Sequence, residues 1–104
     1  MTPEAKVKAS VVKLLKKHNI YYFFPATHGF GRSGVPDIIC CAKSLFIAIE
    51  CKASKGTTTA LQDRELKRIS DAGGVSFVIH ETNQPMLESF LRGLLLTGED
   101  DDRC

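Results

Sequence analysis

The chain has no long apolar run. None of its segments approaches the roughly 20 consecutive apolar residues that cross a bilayer, and Met1 to Lys6 lack the apolar stretch of a secretory signal peptide. A hydrophobic share of 43% and a charged share of 25% are those of an ordinary globular protein. We therefore expect a cytoplasmic protein, and a length of 104 residues is enough for one modest core.

The chain also lacks the cysteine patterns of zinc sites and disulfide frameworks. Its four cysteines, Cys40, Cys41, Cys51 and Cys104, include no Cys-x-x-Cys pair, and no histidine lies beside them at ligand spacing. The first three fall in predicted buried strands, where a free thiol behaves as a small hydrophobe. This usage argues against a structural zinc or a disulfide and favours a reducing compartment.

Charge is unevenly distributed, although the net charge is only +2. Residues 99–104 contain four acids and one arginine, a sum of −3, so residues 1–98 carry +5. Residues 1–17 contain five lysines and a single acid, Glu4. This basic segment would attract a polyphosphate, although a solvated helix face explains it equally well. We expect residues 1–98 to form a single domain and residues 99–104 to form an acidic, disordered tail.

Hydrophobic periodicity predicts an α/β domain in the order α-β-β-β-α-β-α, with a mixed sheet flanked by helices. The expected elements are a helix over 3–18, strands over 20–24, 37–42 and 45–53, a helix over 59–71, a strand over 75–80 and a helix over 85–96 that ends at Gly98. Residues 26–35 read as a glycine-containing loop. In the second helix, Leu61, Leu66 and Ile69 are the expected core contacts.

The second and third strands predict a hairpin around Lys43 and Ser44. If these two residues form the turn, facing residues have numbers that sum to 87, and Asp37 lies opposite Glu50. Glu50 and Lys52 then share that face, because alternate strand residues point the same way. The turn is not Asn-Gly or Asp-Gly, and a slip of one residue would move Asp37 to the other face.

These side chains have the chemistry of phosphodiester hydrolysis. Mg²⁺ prefers oxygen ligands and keeps several waters, so Asp37 and Glu50 could hold it together with the backbone carbonyl of Cys51. Lys52 could orient the attacking water or stabilise the developing charge. Taken singly, Asp37 could instead be a turn residue, and Glu50 with Lys52 an exposed pair at a strand end.

Two polar residues outside the hairpin also have both a structural and a functional interpretation. Gln62 opens the second helix, where Thr59-x-x-Gln62 is a capping box, and the capping role does not exclude a role at the site. Glu4 lies in the first turn of the first helix, where an acid suits the helix dipole.

The order Pro36-Asp37, then Glu50-Cys51-Lys52, matches the PD-(D/E)xK nuclease pattern. A glycine-rich approach, Gly31 to Pro36, precedes it, with Glu4 upstream and Gln62 downstream. Together these residues resemble the VRR-Nuc domain of that superfamily, in the minimal stand-alone form carried by phages. The resemblance covers most of the chain, from about Glu4 to Ile79, and the core motif shows no departure from the pattern.

The resemblance implies a restriction-endonuclease-like fold and a Mg²⁺- or Mn²⁺-dependent DNA endonuclease that acts as a homodimer on branched DNA such as four-way (Holliday) junctions. Asp37 and Glu50 would bind the metal, Lys52 would complete the catalytic centre, and Gln62 would support it. Glu4 would approach the metal from the first helix by way of a water molecule. The alternatives are a non-catalytic DNA-binding module on the same fold, a sequence-specific restriction-type endonuclease, and a protein-interaction or inhibitor domain.

Three further residues are candidates for contacts to DNA. Arg32 lies in the glycine-rich loop before Asp37 and could bind a phosphate, and His28 could do the same. Lys55 follows the third strand and could track the DNA backbone. An ordinary solvated loop residue is an equally good reading of each.

Overall fold

The computed structural model describes residues 1–26 and 31–102, with side chains described up to residue 96. Three helices and four strands follow in the predicted order, which confirms an α/β domain with a mixed sheet: α1 Pro3–Lys17, β1 Tyr21–Phe23, β2 Ile38–Ala42, β3 Leu45–Cys51, α2 Ala60–Asp71, β4 Val75–Ile79 and α3 Gln84–Asp102. His28, one of the candidate DNA contacts, lies outside the described residues.

The four strands form one sheet in sequence order. β1, β2 and β3 are antiparallel neighbours, whereas β4 pairs parallel with β3, with α2 as the crossover between them. Ile38 pairs with Ile49, so the numbers of facing residues sum to 87 and the predicted register is confirmed. Lys43 and Ser44 form the turn with φ values of 51° and 69°, the left-handed pair that a two-residue hairpin requires.

The main core lies on one face of the sheet, beneath α1 and α3. Alternate residues of β2 and β3 point to this face, and helical residues at three- or four-residue spacing pack over them. The fully buried members include Val7, Val11, Leu15, Ile38, Ile47, Ile49, Ile79, Leu87 and Leu91. α1 begins where predicted because the Thr2 hydroxyl accepts a hydrogen bond from the Ala5 amide at 3.1 Å, with Pro3 as the first helical residue.

The opposite face is covered by α2 only over β3 and β4. Leu66 is buried there, and the hydroxyl groups of Ser70 and Ser76 lie 3.0 Å apart. The rest of this face leaves apolar side chains in solvent: Tyr21 and Phe23 of β1 are 67% and 47% exposed, and Phe46 near the start of β3 is 46% exposed.

Three sequence expectations are wrong. Cys41 is exposed rather than buried, because it lies on the sheet face that α2 leaves open over β2. Leu61 is 44% exposed rather than a core contact, because the first turn of α2 is packed through its backbone. α3 does not end at Gly98 but continues to Asp102, so residues 99–102 are helical where a disordered tail was expected. Glycine weakens a helix by about 1 kcal/mol without terminating it. The other element ends agree within one or two residues.

In the part of the chain that the structure describes, no helix is both long enough and apolar enough to span a membrane.

Ser44→Gly should raise the free energy of unfolding by about 0.5–1 kcal/mol, because glycine adopts the positive φ of this turn without a clash. Urea denaturation monitored by circular dichroism would measure the change. Ser89→Gly is a matched control on the exposed side of α3, where the same substitution should lower stability by a similar amount. Equal losses at both positions would contradict the turn geometry.

Candidate active site

The hairpin register brings Asp37 and Glu50 together at one end of the sheet. Asp37 immediately precedes β2, and continuing the Ile38–Ile49 pairing by one residue places it opposite Glu50. The two side chains therefore share the sheet face that α2 partly covers.

Asp37 is anchored by the backbone of β3. Its Oδ2 accepts a hydrogen bond from the Cys51 amide at 2.9 Å. Because the N–H and C=O of one strand residue point towards the same neighbouring strand, the Cys51 carbonyl is directed to the Asp37 side as well. The Lys52 amide points the other way and donates to the Ile79 carbonyl at 2.9 Å. This alternation places an aspartate oxygen and a main-chain oxygen on one side of the strand end.

Glu50 is a buried carboxylate with two polar contacts. Only 2% of the residue is exposed, and its Oε2 accepts a hydrogen bond from Gln62 Nε2 at 3.0 Å. The ammonium of Lys52 lies 3.6 Å from the same oxygen, on a side chain that is 12% exposed. Glu50 and Lys52 are thus a mostly buried ion pair, which excludes the reading of a solvated pair at a frayed strand end.

Burial and nearby acids raise the pKa of Glu50 to about 7. Desolvation is the largest cause, the negative charge of Asp37 is the next, and Glu4 makes a smaller contribution in the same direction. Lys52 acts in the opposite sense and lowers the pKa, but it does not cancel the other effects. Two carboxyl groups thus face one lysine, and a bound cation would favour the ionised form of both.

Gln62 forms the capping box of α2 and also contacts Glu50. The side-chain oxygen of Gln62 accepts a hydrogen bond from the Thr59 backbone amide at 2.9 Å, and the backbone amide of Gln62 donates to the Thr59 hydroxyl at 3.2 Å. The side-chain NH₂ group of Gln62 remains for Glu50. The capping box thus fixes the rotamer that holds the Glu50 carboxylate.

Gly34 packs the loop before Asp37 closely against the first turn of α2. Its φ is +82°, and a Cβ atom there would lie 2.6 Å from the carbonyl carbon and oxygen of Leu61 and 2.9 Å from the Gln62 nitrogen. Only glycine permits this close approach of two backbones. The segment that carries Asp37 and the helix that carries Gln62 are therefore in direct contact.

The remaining predicted residues lie at different distances from this centre. Glu4 is exposed in the first turn of α1 and is close enough for its charge to act on Glu50 and Cys51. Lys55 is exposed in the loop that follows β3. Arg32 is directed to Glu65 of α2, with 3.7 Å between Nη1 and Oε2, rather than to the carboxylate pair.

The carboxylate pair fits a divalent cation that prefers oxygen ligands. Among the described residues, no group of three histidine, cysteine, aspartate or glutamate side chains could hold a metal ion. Asp37, Glu50 and the Cys51 carbonyl instead offer an all-oxygen set of the kind that suits Mg²⁺ or Mn²⁺, which complete their coordination with water. Two carboxyl groups that face one lysine are consistent with such an ion.

Sequence reasoning missed Glu65. This residue is only 6% exposed, and three arginines, Arg32, Arg64 and Arg68, place a nitrogen within 3.7–4.0 Å of its Oε2. Its position three residues after Gln62, on the same helix face, was the available signal.

Comparison with protein-family models gives no match, and a search of curated proteins gives no match either. The resemblance to the VRR-Nuc domain therefore stays a prediction that depends on the residues quoted above.

The metal-free protein should lose stability as the pH rises from 4.5 through 7. Folded Glu50, with a pKa of about 7, holds its proton more tightly than unfolded Glu50, with a pKa of 4.5. The stabilisation is fully present below the unfolded pKa and is lost above the folded one, by an amount on the order of 3 kcal/mol. Urea denaturation in EDTA at pH 4.5, 6, 7 and 8 would measure it.

Glu50→Gln should remove this pH dependence, because glutamine does not titrate. Glu81→Gln, at an exposed position before α3, should leave the dependence unchanged. Parallel stability curves for the wild type and Glu50→Gln would contradict the assignment.

Gly34→Ala should lower the free energy of unfolding by at least about 2 kcal/mol, because it combines backbone strain with a clash. Gly73→Ala separates the two effects, since Gly73 also has a positive φ, of +103°, but a Cβ atom there would meet nothing within 4 Å. Thermal and urea denaturation of both variants would measure the difference. Equal losses would show that the contact with α2 contributes nothing.

Proposed function

We propose that the protein is a metal-dependent DNA endonuclease that hydrolyses phosphodiester bonds in branched DNA, such as four-way junctions. The observation that carries the proposal is the meeting of Asp37, Glu50, Lys52 and Gln62 at the end of two adjacent strands. This arrangement combines two acids, one ammonium group and one orienting amide, in the order of the PD-(D/E)xK motif. The resemblance to VRR-Nuc domains supports DNA as the substrate and a homodimer as the active form.

Asp37, Glu50 and the Cys51 carbonyl would hold Mg²⁺ or Mn²⁺. When bound, the ion polarises the phosphate and makes water a stronger nucleophile at neutral pH. In the overall reaction, the oxygen of water forms a bond to phosphorus and the bond from phosphorus to the leaving oxygen breaks. The proton lost by water is balanced by one that the leaving oxygen gains from solvent.

The chain's own residues orient the reaction. The Lys52 ammonium lies beside Glu50 on a side chain that is mostly shielded from water, where its charge can stabilise the negative charge that develops on the phosphate oxygens. Gln62 keeps the Glu50 carboxylate in one orientation, and the Cys51 amide does the same for Asp37. These contacts position the acids before a ligand arrives.

The bulk properties of the chain agree with such a role. The described cysteines, Cys40, Cys41 and Cys51, are free thiols, which supports a reducing compartment such as the cytoplasm.

Lys52→Ala should reduce metal-dependent cleavage of a labelled four-way junction by about 100-fold or more, because it removes the charge that faces the reacting phosphate. The assay compares the junction with a linear duplex in Mg²⁺, Mn²⁺ or EDTA. Lys67→Ala is the matched control, since Lys67 is an exposed lysine of α2 that pairs with Asp71 at 2.8 Å.

Each result separates the candidate functions. Cleavage of the junction that needs metal and Lys52 supports the proposal, and cleavage of linear duplex at one fixed site would favour a restriction-type enzyme. Junction binding without cleavage in either metal would favour a non-catalytic module. Thermal denaturation of Lys52→Ala would establish that the variant is folded.

A further inference from the structure

A second site lies next to the carboxylate centre, on the same side of the sheet. It is a pocket of about 350 Å³ between β3 and α2, lined by Arg32, Phe46, Glu65, Arg68, Ile69, Ala72 and Gly74. Its lining combines the side chains of Arg32 and Arg68 with apolar surface from Phe46, Ile69 and Ala72. This combination of cationic and apolar groups suits a ligand that has an anionic part and a flat apolar part.

Glu65 lies among three arginines, two of which, Arg32 and Arg68, line the pocket. Its Oε2 is buried and has no hydrogen-bond partner among the described residues, while nitrogens of Arg32, Arg64 and Arg68 lie 3.7, 4.0 and 3.9 Å away. One carboxylate therefore draws together residues from the loop before Asp37 and from α2.

The arginines have more donors than Glu65 can use. Each guanidinium has five N–H groups, whereas one carboxylate accepts about four hydrogen bonds in total. The arginine side chains are 53–61% exposed and therefore accessible to a ligand, and the three arginines with Glu65 have a net charge of about +2. Planar pairs of N–H groups are the preferred donors for phosphate oxygens.

Phe46 provides the apolar surface. It is 46% exposed and lies on the same strand face as Glu50, four residues away. At about 3.3 Å per residue, this spacing is about 13 Å, which corresponds to a few nucleotides of a DNA strand. Exposed aromatic rings beside cationic side chains are a common platform for unpaired bases.

We propose that this pocket binds one unpaired nucleotide of the DNA strand that enters the active site, with its phosphate on Arg32 and Arg68 and its base against Phe46. The inference rests on the proposed nuclease function and narrows its substrate class. Among branched DNAs, the protein then favours those in which a nucleotide near the branch point is unpaired. A fully paired linear duplex cannot place a base in the pocket.

The test measures binding of two labelled DNAs in EDTA, so that no cleavage occurs, by fluorescence anisotropy. One DNA is a fork with a single-stranded arm, and the other is a blunt linear duplex of the same length. Phe46→Leu should weaken binding to the fork by about 5-fold or more and leave binding to the duplex unchanged. Phe46→Tyr keeps the ring and should retain wild-type affinity for the fork.

Arg68→Gln should weaken binding to the fork and reduce the slope of log affinity against log salt by about 0.7, the value for one phosphate contact on a single strand. Arg92→Gln is the matched control, because Arg92 is an arginine of similar exposure on α3, paired with Glu88 at 3.4 Å. It should leave both the affinity and the slope unchanged.

Three outcomes would overturn the inference while leaving the nuclease proposal intact. The first is a wild type that cuts branched DNA while Phe46→Leu and Arg68→Gln bind the fork normally. The second is an equal loss on fork and duplex, which would indicate a general DNA contact. The third is a change in sedimentation of Phe46→Leu without a change in DNA binding, which would make this face a contact between copies of the chain. A wild type that neither binds nor cuts any DNA would instead remove the nuclease proposal itself.

Discussion

The antiparallel pairing of β2 with β3 is the constraint on which the candidate site depends. The turn at Lys43 and Ser44 uses two consecutive left-handed residues, and this fixes which residues face each other along the hairpin. Asp37 meets Glu50 only in this register. A shift of one residue would turn Asp37 towards the core beneath α1 and α3, and would bury a carboxylate among apolar side chains.

The site is built around the buried carboxylate of Glu50. Glu50 is buried, yet it is satisfied by Gln62 and faced by Lys52, and each of these contacts depends on a different element. Gln62 is fixed by the capping box of α2, and Gly34 brings the loop before Asp37 against that same helix turn. Helix capping, a loop glycine and strand register therefore support a single centre. A stable protein would not need this arrangement at a strand end, which is why we interpret it as functional.

Much of the fold could be predicted because its signals are local. Apolar periodicity gave the order of the seven elements, and the capping residues Thr2 and Thr59 gave two helix starts. The prediction failed where local signals compete with packing. Leu61 has the spacing of a core residue but is exposed, since the adjoining loop contacts the helix backbone at that point. Gly98 resembles a helix stop but lies within α3, because glycine only weakens a helix.

The sequence by itself determined the hairpin and, once the turn has two residues, its register with two acids and a lysine on one sheet face, because period-two alternation and a two-residue turn are short-range properties. Only the tertiary structure decided that Gln62 reaches Glu50, that Glu65 gathers three arginines, and that α2 covers just half of its sheet face. Arg64 and Arg68 meet Glu65 within α2, but the contacts of Arg32 with Glu65 and of Gln62 with Glu50 join α2 to distant parts of the chain. They depend on how the crossover helix docks on the sheet, which no local pattern specifies.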